Sequence, residues 1–284
     1  MTQENFKELS ETFAKKYNPE GSLLRKNQKE LVEILKVFAD ICDKHGIQWW
    51  LSSGTLLGAA RHRGFIPWDD DIDVVMLRKD YRKLKKILCS MKSDEYFPQC
   101  METDIEYVNT FMKFRKIGTR LDTINRRTVN YKHAGLFIDV FCIEYTNRIC
   151  AYLGKRIYHA IQHPTIYVKN KWIRRPLIRL AEFLTFVFIM PVLRLFGKIN
   201  PNHEYHYEIG SGWADHTFYL KDTFPLTTLE FEGVELPVPK DTDAYLTNVY
   251  GDWRQIPDDE QIMMSLHSRE YLNEIYKDEW KRLR

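Results

Sequence analysis

Between residues 23 and 45, Leu24, Leu31, Ile34, Leu35, Phe38 and Ile41 recur at three- and four-residue intervals and the run stops at His45-Gly46. That spacing predicts an amphipathic helix closed by a glycine. The apolar, aromatic-rich residues 47–51 run into Ser52-Ser53-Gly54, which reads as a buried strand entering a turn, followed by a short helix over 55–61. A second strand is expected over 71–76. Residues 78–91, with Tyr81, Leu84, Leu88 and Met91 on one side, predict a helix, and 111–115 and 136–143 read as two further strands. Beyond 144 the pattern turns helical over 151–162 and 172–196. A hairpin about Gly233, a short helix over 242–249 and the Tyr250-Gly251-Asp252-Trp253 segment follow. Interleaved helices and strands predict an α/β (or α+β) fold around a mixed sheet. The expected organisation is a catalytic core over 1–143, a helical insertion over 144–200, and strands and helices over 201–284 that complete the core.

The insertion carries one ambiguous stretch. Residues 183–193 are apolar except for Thr185, and 11 residues fall short of the roughly 20 a bilayer span needs. A buried helix is one reading. Lys169, Lys171, Arg174, Arg175 and Arg179 precede the stretch and Arg194 and Lys198 follow it, so peripheral membrane contact through 169–198 is the other.

Composition narrows the class. The chain has 284 residues, 44% hydrophobic and 29% charged, which excludes disordered and fibrous proteins. Its net charge of +3 supplies no global field of the kind that drives nucleic-acid binding. Five cysteines without a C-x-x-C pair argue against a disulfide framework and a thiolate zinc site, and point to a reducing, cytoplasmic setting. The N-terminal residues lack the pattern of a signal peptide.

The densest chemical signal is Asp69-Asp70-Asp71-Ile72-Asp73, four carboxylates opening an apolar strand. Such charges repel unless a cation offsets them. Strand alternation would project Asp71 and Asp73 to one side while Ile72 and Val74 enter the core, a geometry suited to Mg²⁺ or Mn²⁺ on phosphate oxygens. A calcium loop does not fit, because the sixth position counted from Asp69 is Val74 and the twelfth is Asp80. The alternative is a solvated acidic loop. Upstream, residues 52–58 (SSGTLLG) form a strand-to-helix turn whose N–H groups and hydroxyls could meet phosphate. The turn lacks both a P-loop lysine and a dinucleotide fingerprint. Asp139 lies within the apolar strand GLFIDVF, where an ionised group needs a partner or a metal; a buried structural aspartate is the other reading. Lys113 and Arg115 alternate with apolar residues and would point one way, towards a diphosphate or onto a solvated sheet face.

Residues 50–74, WLSSGTLLGAARHRGFIPWDDDIDV, resemble the signature of the LicD family, and the later GLFIDVF and YGDW segments sit where the family pattern puts them. The resemblance implies a nucleotidyltransferase-type fold with metal-bound aspartates on adjacent strands. It also implies transfer of a phospho-alcohol, such as phosphocholine or a polyol phosphate, from a CDP-activated donor to a hydroxyl of a glycan or its lipid-linked precursor, releasing CMP. By that resemblance Gly54 and Thr55 match the phosphate-contacting turn, Asp71 and Asp73 the metal pair, Asp139 the third carboxylate and Asp69 a further ligand. Ser53, Arg61, Lys113 and Arg115 complete the expected phosphate-binding set, and Asp252 and His267 fall in shorter motifs. Rival expectations are a D-x-D glycosyltransferase, a non-catalytic membrane-surface adaptor, and adenylyl transfer by analogy of fold.

Overall fold

In the computed structural model, which describes residues 3–122, 130–277 and 279–282, helices α1 (Gln3–Tyr17) and α2 (Leu23–Lys44) lead into a two-residue strand β1 (Trp50–Leu51). Ser22 caps α2 by accepting from the Arg25 backbone N–H at 3.1 Å, the usual way to satisfy an orphan donor. Helix α3 (Ser53–His62), strand β2 (Ile72–Leu77), helix α4 (Arg78–Ser90) and strands β3 (Tyr96–Gln99), β4 (Met112–Lys116) and β5 (Phe137–Tyr145) follow. The sheet order is β1-β2-β5-β4-β3, with β2 and β5 parallel and the other pairs antiparallel.

Alternation sets the two faces of this sheet. Ile72, Val74, Ile138, Val140 and Phe114 are fully buried, and Phe38 of α2 packs its ring 5.9 Å from Phe114, so α2 covers that face. The opposite face carries Asp73, Asp139 and Lys113, which the strand register sets side by side.

Helix α5 (Arg148–Gln162) then packs against a long helical segment, α6 (Lys171–Phe183), a π-type turn (Leu184–Ile189) and α7 (Met190–Gly197). The segment runs without a break for 27 residues, or about 40 Å. Strands β6 (Tyr205–Tyr207) and β7 (Thr217–Phe218) return to the sheet beside β5. A short helix α8 (Leu220–Thr223), the hairpin β8 (Thr227–Phe231) and β9 (Val234–Val238), and helices α9 (Thr242–Tyr250), α10 (Asp259–Ser265) and α11 (Arg269–Tyr276) complete the chain order. Both hairpin-turn residues, Glu232 and Gly233, have positive φ (53° and 77°), which fits a tight right-twisted connection. Tyr207, Phe231, Tyr245 and Tyr271 join the same core as β2 and β5, whereas Tyr158, Met190 and Ile209 form a small separate cluster under the long helix.

Two expectations are corrected. The strand expected over 47–51 forms a ladder at Trp50 and Leu51 alone. The apolar stretch 183–193 is not a buried helix: Phe183, Val187, Phe188 and Val192 face outward, and the helix holding it is long and apolar enough to cross a membrane by length and composition. Arg174 and Glu182 point inward instead, so the polar positions that interrupt the apolar pattern are the ones the protein covers.

Candidate active site

Asp139 sits between Asp73 on β2 and Lys113 on β4 in the sheet register. Lys113 Nζ donates to Asp139 Oδ1 at 2.5 Å and lies 3.4 Å from the centre of the Phe137 ring. Burial pulls the Lys113 ammonium below its ordinary range, with Asp139 opposing that shift. Asp71, at the entry to β2, brings a carboxylate oxygen into reach, so Asp71, Asp73 and Asp139 offer ligand atoms all within 4.8 Å of one another. A group of this kind could hold a hard divalent cation.

The electrostatics of the acidic loop follow from crowding. Burial, then the neighbouring aspartates, raise Asp69 and Asp73 well above the ordinary carboxylate range. Burial also pushes Asp71 up to about 6, against the pull of His267. One oxygen of Asp69 is buried without a hydrogen-bond partner among the described residues. Both features mark a crowded, desolvated set of carboxylates, which occurs at functional sites and in structural clusters alike. Asp70 turns away from this group. It accepts from the His267 backbone N–H at 3.1 Å and from His267 Nδ1 at 3.0 Å, and that bond raises the imidazole to about 9 although its outer edge is open to solvent. His267 is thus a second cation beside the loop, and Asp70, Asp71 and His267 form a second grouping of potential ligand atoms.

The turn 52–54 abuts the loop. A Cβ on Gly54 would come within 2.7 Å of Asp69 Oδ2, so only glycine leaves that carboxylate its place at the start of α3. Ser53 adopts a left-handed backbone (φ 49°), and its hydroxyl lies 3.4 Å from the Tyr207 hydroxyl. Thr55 is buried, and its hydroxyl accepts the Asp73 backbone N–H at 2.8 Å. It therefore fixes the start of β2 and does not face open space.

Two of the expected phosphate-binding cations are held elsewhere. Arg61 is buried with its guanidinium on the Trp253 and Gln255 carbonyls; it ties α3 to the YGDW segment. Arg115 shares the Lys113 side of β4, but its guanidinium donates to Gln99 Oε1 at 2.6 Å and to the Gly135 carbonyl at 2.5 Å. The structure gathers Asp71, Asp73, Asp139 and Lys113 into one group, with Asp69 and the Ser53-Gly54 turn beside it, and uses Thr55, Arg61 and Arg115 as braces around it. Asp252 accepts from Gln255 at the surface, outside the carboxylate group. Tyr250 is a residue the sequence did not single out. Although the residue is 44% exposed, its phenol is raised by partial desolvation and then by Asp73 and Asp69, so it borders the carboxylates from the C-terminal side. Its place in the YGDW segment was the available signal.

Residues 46–181 match the family described as LicD/FKTN/FKRP, nucleotidyltransferase domain. The lipopolysaccharide cholinephosphotransferase LicD of Haemophilus influenzae is 28% identical over 255 residues, 84% of this chain and 93% of that protein. An uncharacterized protein of Rickettsia prowazekii is 40% identical over 92% of this chain, which spans 65% of the length of that relative. The human ribitol 5-phosphate transferase FKRP matches over 52 residues at 38% identity, 18% of this chain and 10% of that protein. The acidic loop, β2, β4 and β5 all lie inside the matched region. Over residues 46–181 the chain is thus similar to the nucleotidyltransferase domain of the LicD, FKTN and FKRP family.

Proposed function

We propose that the protein transfers a phospho-alcohol from a CDP-activated donor to a glycan hydroxyl, the free glycan or its lipid-linked precursor, at the cytoplasmic side of a membrane. The observation that carries this reading is the convergence of Asp71, Asp73 and Asp139 within 4.8 Å beside Lys113, in a chain whose matched relatives are named for choline phosphate and ribitol 5-phosphate transfer.

A divalent cation, Mg²⁺ or Mn²⁺, held by Asp71, Asp73 and Asp139 with Asp69 beside them would offset the donor diphosphate charge. The chain supplies the rest. Lys113 places a fixed ammonium against the carboxylates and stabilises negative charge that develops on the transferred phosphoryl group. His267, held charged by Asp70, adds a second cation on the far side of the loop. The acceptor oxygen attacks the phosphorus bearing the alcohol; a new P–O bond forms, the bond to the bridging oxygen breaks, and CMP leaves with that electron pair. Asp139 takes the acceptor proton. Ser52, at the N-cap of α3, makes no side-chain cap, and the helix start it leaves uncapped is where donor phosphate oxygens would dock.

Incubation with CDP-choline or CDP-ribitol, Mg²⁺ and a glycan acceptor tests the reaction. Free CMP together with acceptor-bound phospho-alcohol is the expected result, lost in Asp73→Asn. Release of UDP or GDP from a sugar nucleotide, with CDP donors inert, overturns it in favour of a glycosyltransferase.

A further inference from the structure

The helix Lys171–Gly197 is amphipathic the wrong way round for a helix covered only by water. Its inner side holds paired, buried or half-buried charges. Arg174 donates to both oxygens of Glu106 at 2.8 and 3.0 Å, and Arg194 reaches Glu144 at 2.8 Å and Glu208 at 3.1 Å. The outer side is apolar along its length, with Trp172 (80% exposed), Leu180, Phe183, Phe188 (56%) and Leu195 (63%) in solvent. The apolar surface continues onto the start of α5 through Ile149, which is 71% exposed. Asn147, the α5 cap, donates to the Phe196 and Ile199 carbonyls and so holds the two apolar edges together. Contiguous apolar surface on this scale marks an interaction site.

Charge selects the occupant. The exposed charges on this helix are all cationic: Lys171, Arg175, which also reaches Glu106 at 3.0 Å, and Arg179, followed by Lys198, whereas its one acidic residue, Glu182, is turned inward and paired with Arg179. A helix-to-helix seam with a second copy would carry both signs along its flanks. Cations and a tryptophan at the end of an apolar face suit an anionic lipid surface. A cleft of about 710 Å³ runs beside the same helix, with Phe183 and Val187 on one wall and Arg82 and Lys86 of α4 on the other. Among the described residues neither Arg82 nor Lys86 has a carboxylate partner, while Glu102 in that cleft is already held by Lys85 at 2.7 Å. Apolar wall and unpaired cations together match the acyl and phosphate layers of a leaflet.

We propose that the outer side of Lys171–Gly197, with the start of α5, lies in the plane of an anionic phospholipid leaflet, acyl chains meeting Phe183 and Phe188 and headgroup phosphates meeting Arg82 and Lys86. The helix does not cross. Crossing would pull Arg174 from Glu106 and Arg194 from Glu144, stranding charges on both sides. Docking of this kind is independent of the transfer reaction.

Co-sedimentation of the full chain with vesicles of phosphatidylcholine plus phosphatidylglycerol, and with phosphatidylcholine alone, tests it. Binding to the anionic vesicles at low salt, weakened by added salt and released by alkaline carbonate, is the expected result. Phe183→Ser/Phe188→Ser lowers the bound fraction about tenfold, and Arg82→Glu/Lys86→Glu lowers it and flattens its salt dependence, with circular dichroism unchanged in both variants. Failure to bind anionic vesicles overturns the proposal. So does retention after carbonate, which means a spanning helix, or a dimer in solution that Phe183→Ser/Phe188→Ser dissolves while vesicle binding is unaltered. No nucleotide enters the assay, so its failure leaves the transfer reading standing, and absent CMP release leaves the docking reading standing.

Discussion

Asp73 and Asp139 face each other across the parallel β2–β5 ladder, whose other paired positions are apolar. Two carboxylates fixed side by side by backbone register cannot relax apart as they would on a loop. Asp73 is raised well above its ordinary range by burial and by Asp71 and Asp139, so the pair stores repulsion that a cation would relieve.

Asp73→Asn keeps the side-chain volume and removes one charge from that cluster. It should abolish CMP release while leaving thermal stability in chelator equal to or above wild type. Melting curves and a turnover assay check both; residual turnover near the wild-type rate would sink the metal assignment.

Lys113→Met removes the ammonium 2.5 Å from Asp139. Breaking a buried pair by deleting one partner costs about 3–5 kcal/mol, and here Mg²⁺ should restore part of the loss because it supplies a substitute cation. Urea unfolding with and without Mg²⁺ measures the difference; an equal loss under both conditions would show that the cation does not neighbour Asp139.

The pH dependence of the cation-free protein follows from two groups. Asp71 titrates at about 6 in the folded chain and near 3.9 when unfolded, so the folded state binds more protons between these values. Stability contributed by Asp71 therefore falls as pH rises from about 4 to about 6. Asp71→Asn should gain on wild type across that window. His267 is raised to about 9 from near 6.5 when unfolded, so its contribution is full below pH 6.5 and lost as pH rises through 9. The stability gap between wild type and His267→Ala should close over that range in matched melting series, and a gap that widens would contradict the Asp70–His267 bond.

Nucleotide selectivity is accessible by the same instrument. With Mg²⁺ and CDP at about 100 times the dissociation constant, a ligand that binds only the folded chain adds roughly 2.7 kcal/mol. CDP should shift the melting temperature more than UDP, GDP or ADP, and Asp71→Asn/Asp73→Asn should lose the shift. A larger shift with UDP or GDP would point to a sugar-nucleotide donor.

Arg61→Ala separates bracing from phosphate contact. Its guanidinium serves the Trp253 and Gln255 carbonyls, and leaving such groups unpaired costs about 1–3 kcal/mol. The variant should melt lower yet retain its CDP affinity per folded molecule, as isothermal titration would report.

Local pattern carried much of the fold. Alternation located β2, β4 and β5, and three- and four-residue spacing located α2, α4 and α9 to within a residue or two. What escaped had non-local causes. Strand β3 contains Pro98 and is recognisable only by its ladder to β4, and β6 and β7 are too short to display a period. The helix over 172–196 was expected, but its apolar surface read as an 11-residue run because Arg174, Arg179 and Glu182 interrupt the pattern, whereas Arg174 and Glu182 lie on its covered side. In the site, strand alternation made the Asp71 and Asp73 pair legible, whereas Asp139 was joined to it by the family resemblance, and it is the β2–β5 register that sets Asp139 beside Asp73. The roles of Arg61 and Arg115 were not, since a guanidinium reaches far enough to choose partners that spacing cannot reveal: Trp253 lies 192 positions from Arg61.

The bond from His267 to Asp70 joins positions 197 residues apart. At a synthesis rate of about 5–20 residues per second, the acidic loop leaves the ribosome on the order of 10–40 s before the imidazole that steadies it. A nascent chain thus passes through a stage with its sheet strands made and its loop short of one counter-charge, and free divalent ions in the surrounding fluid are the partner at hand during that delay.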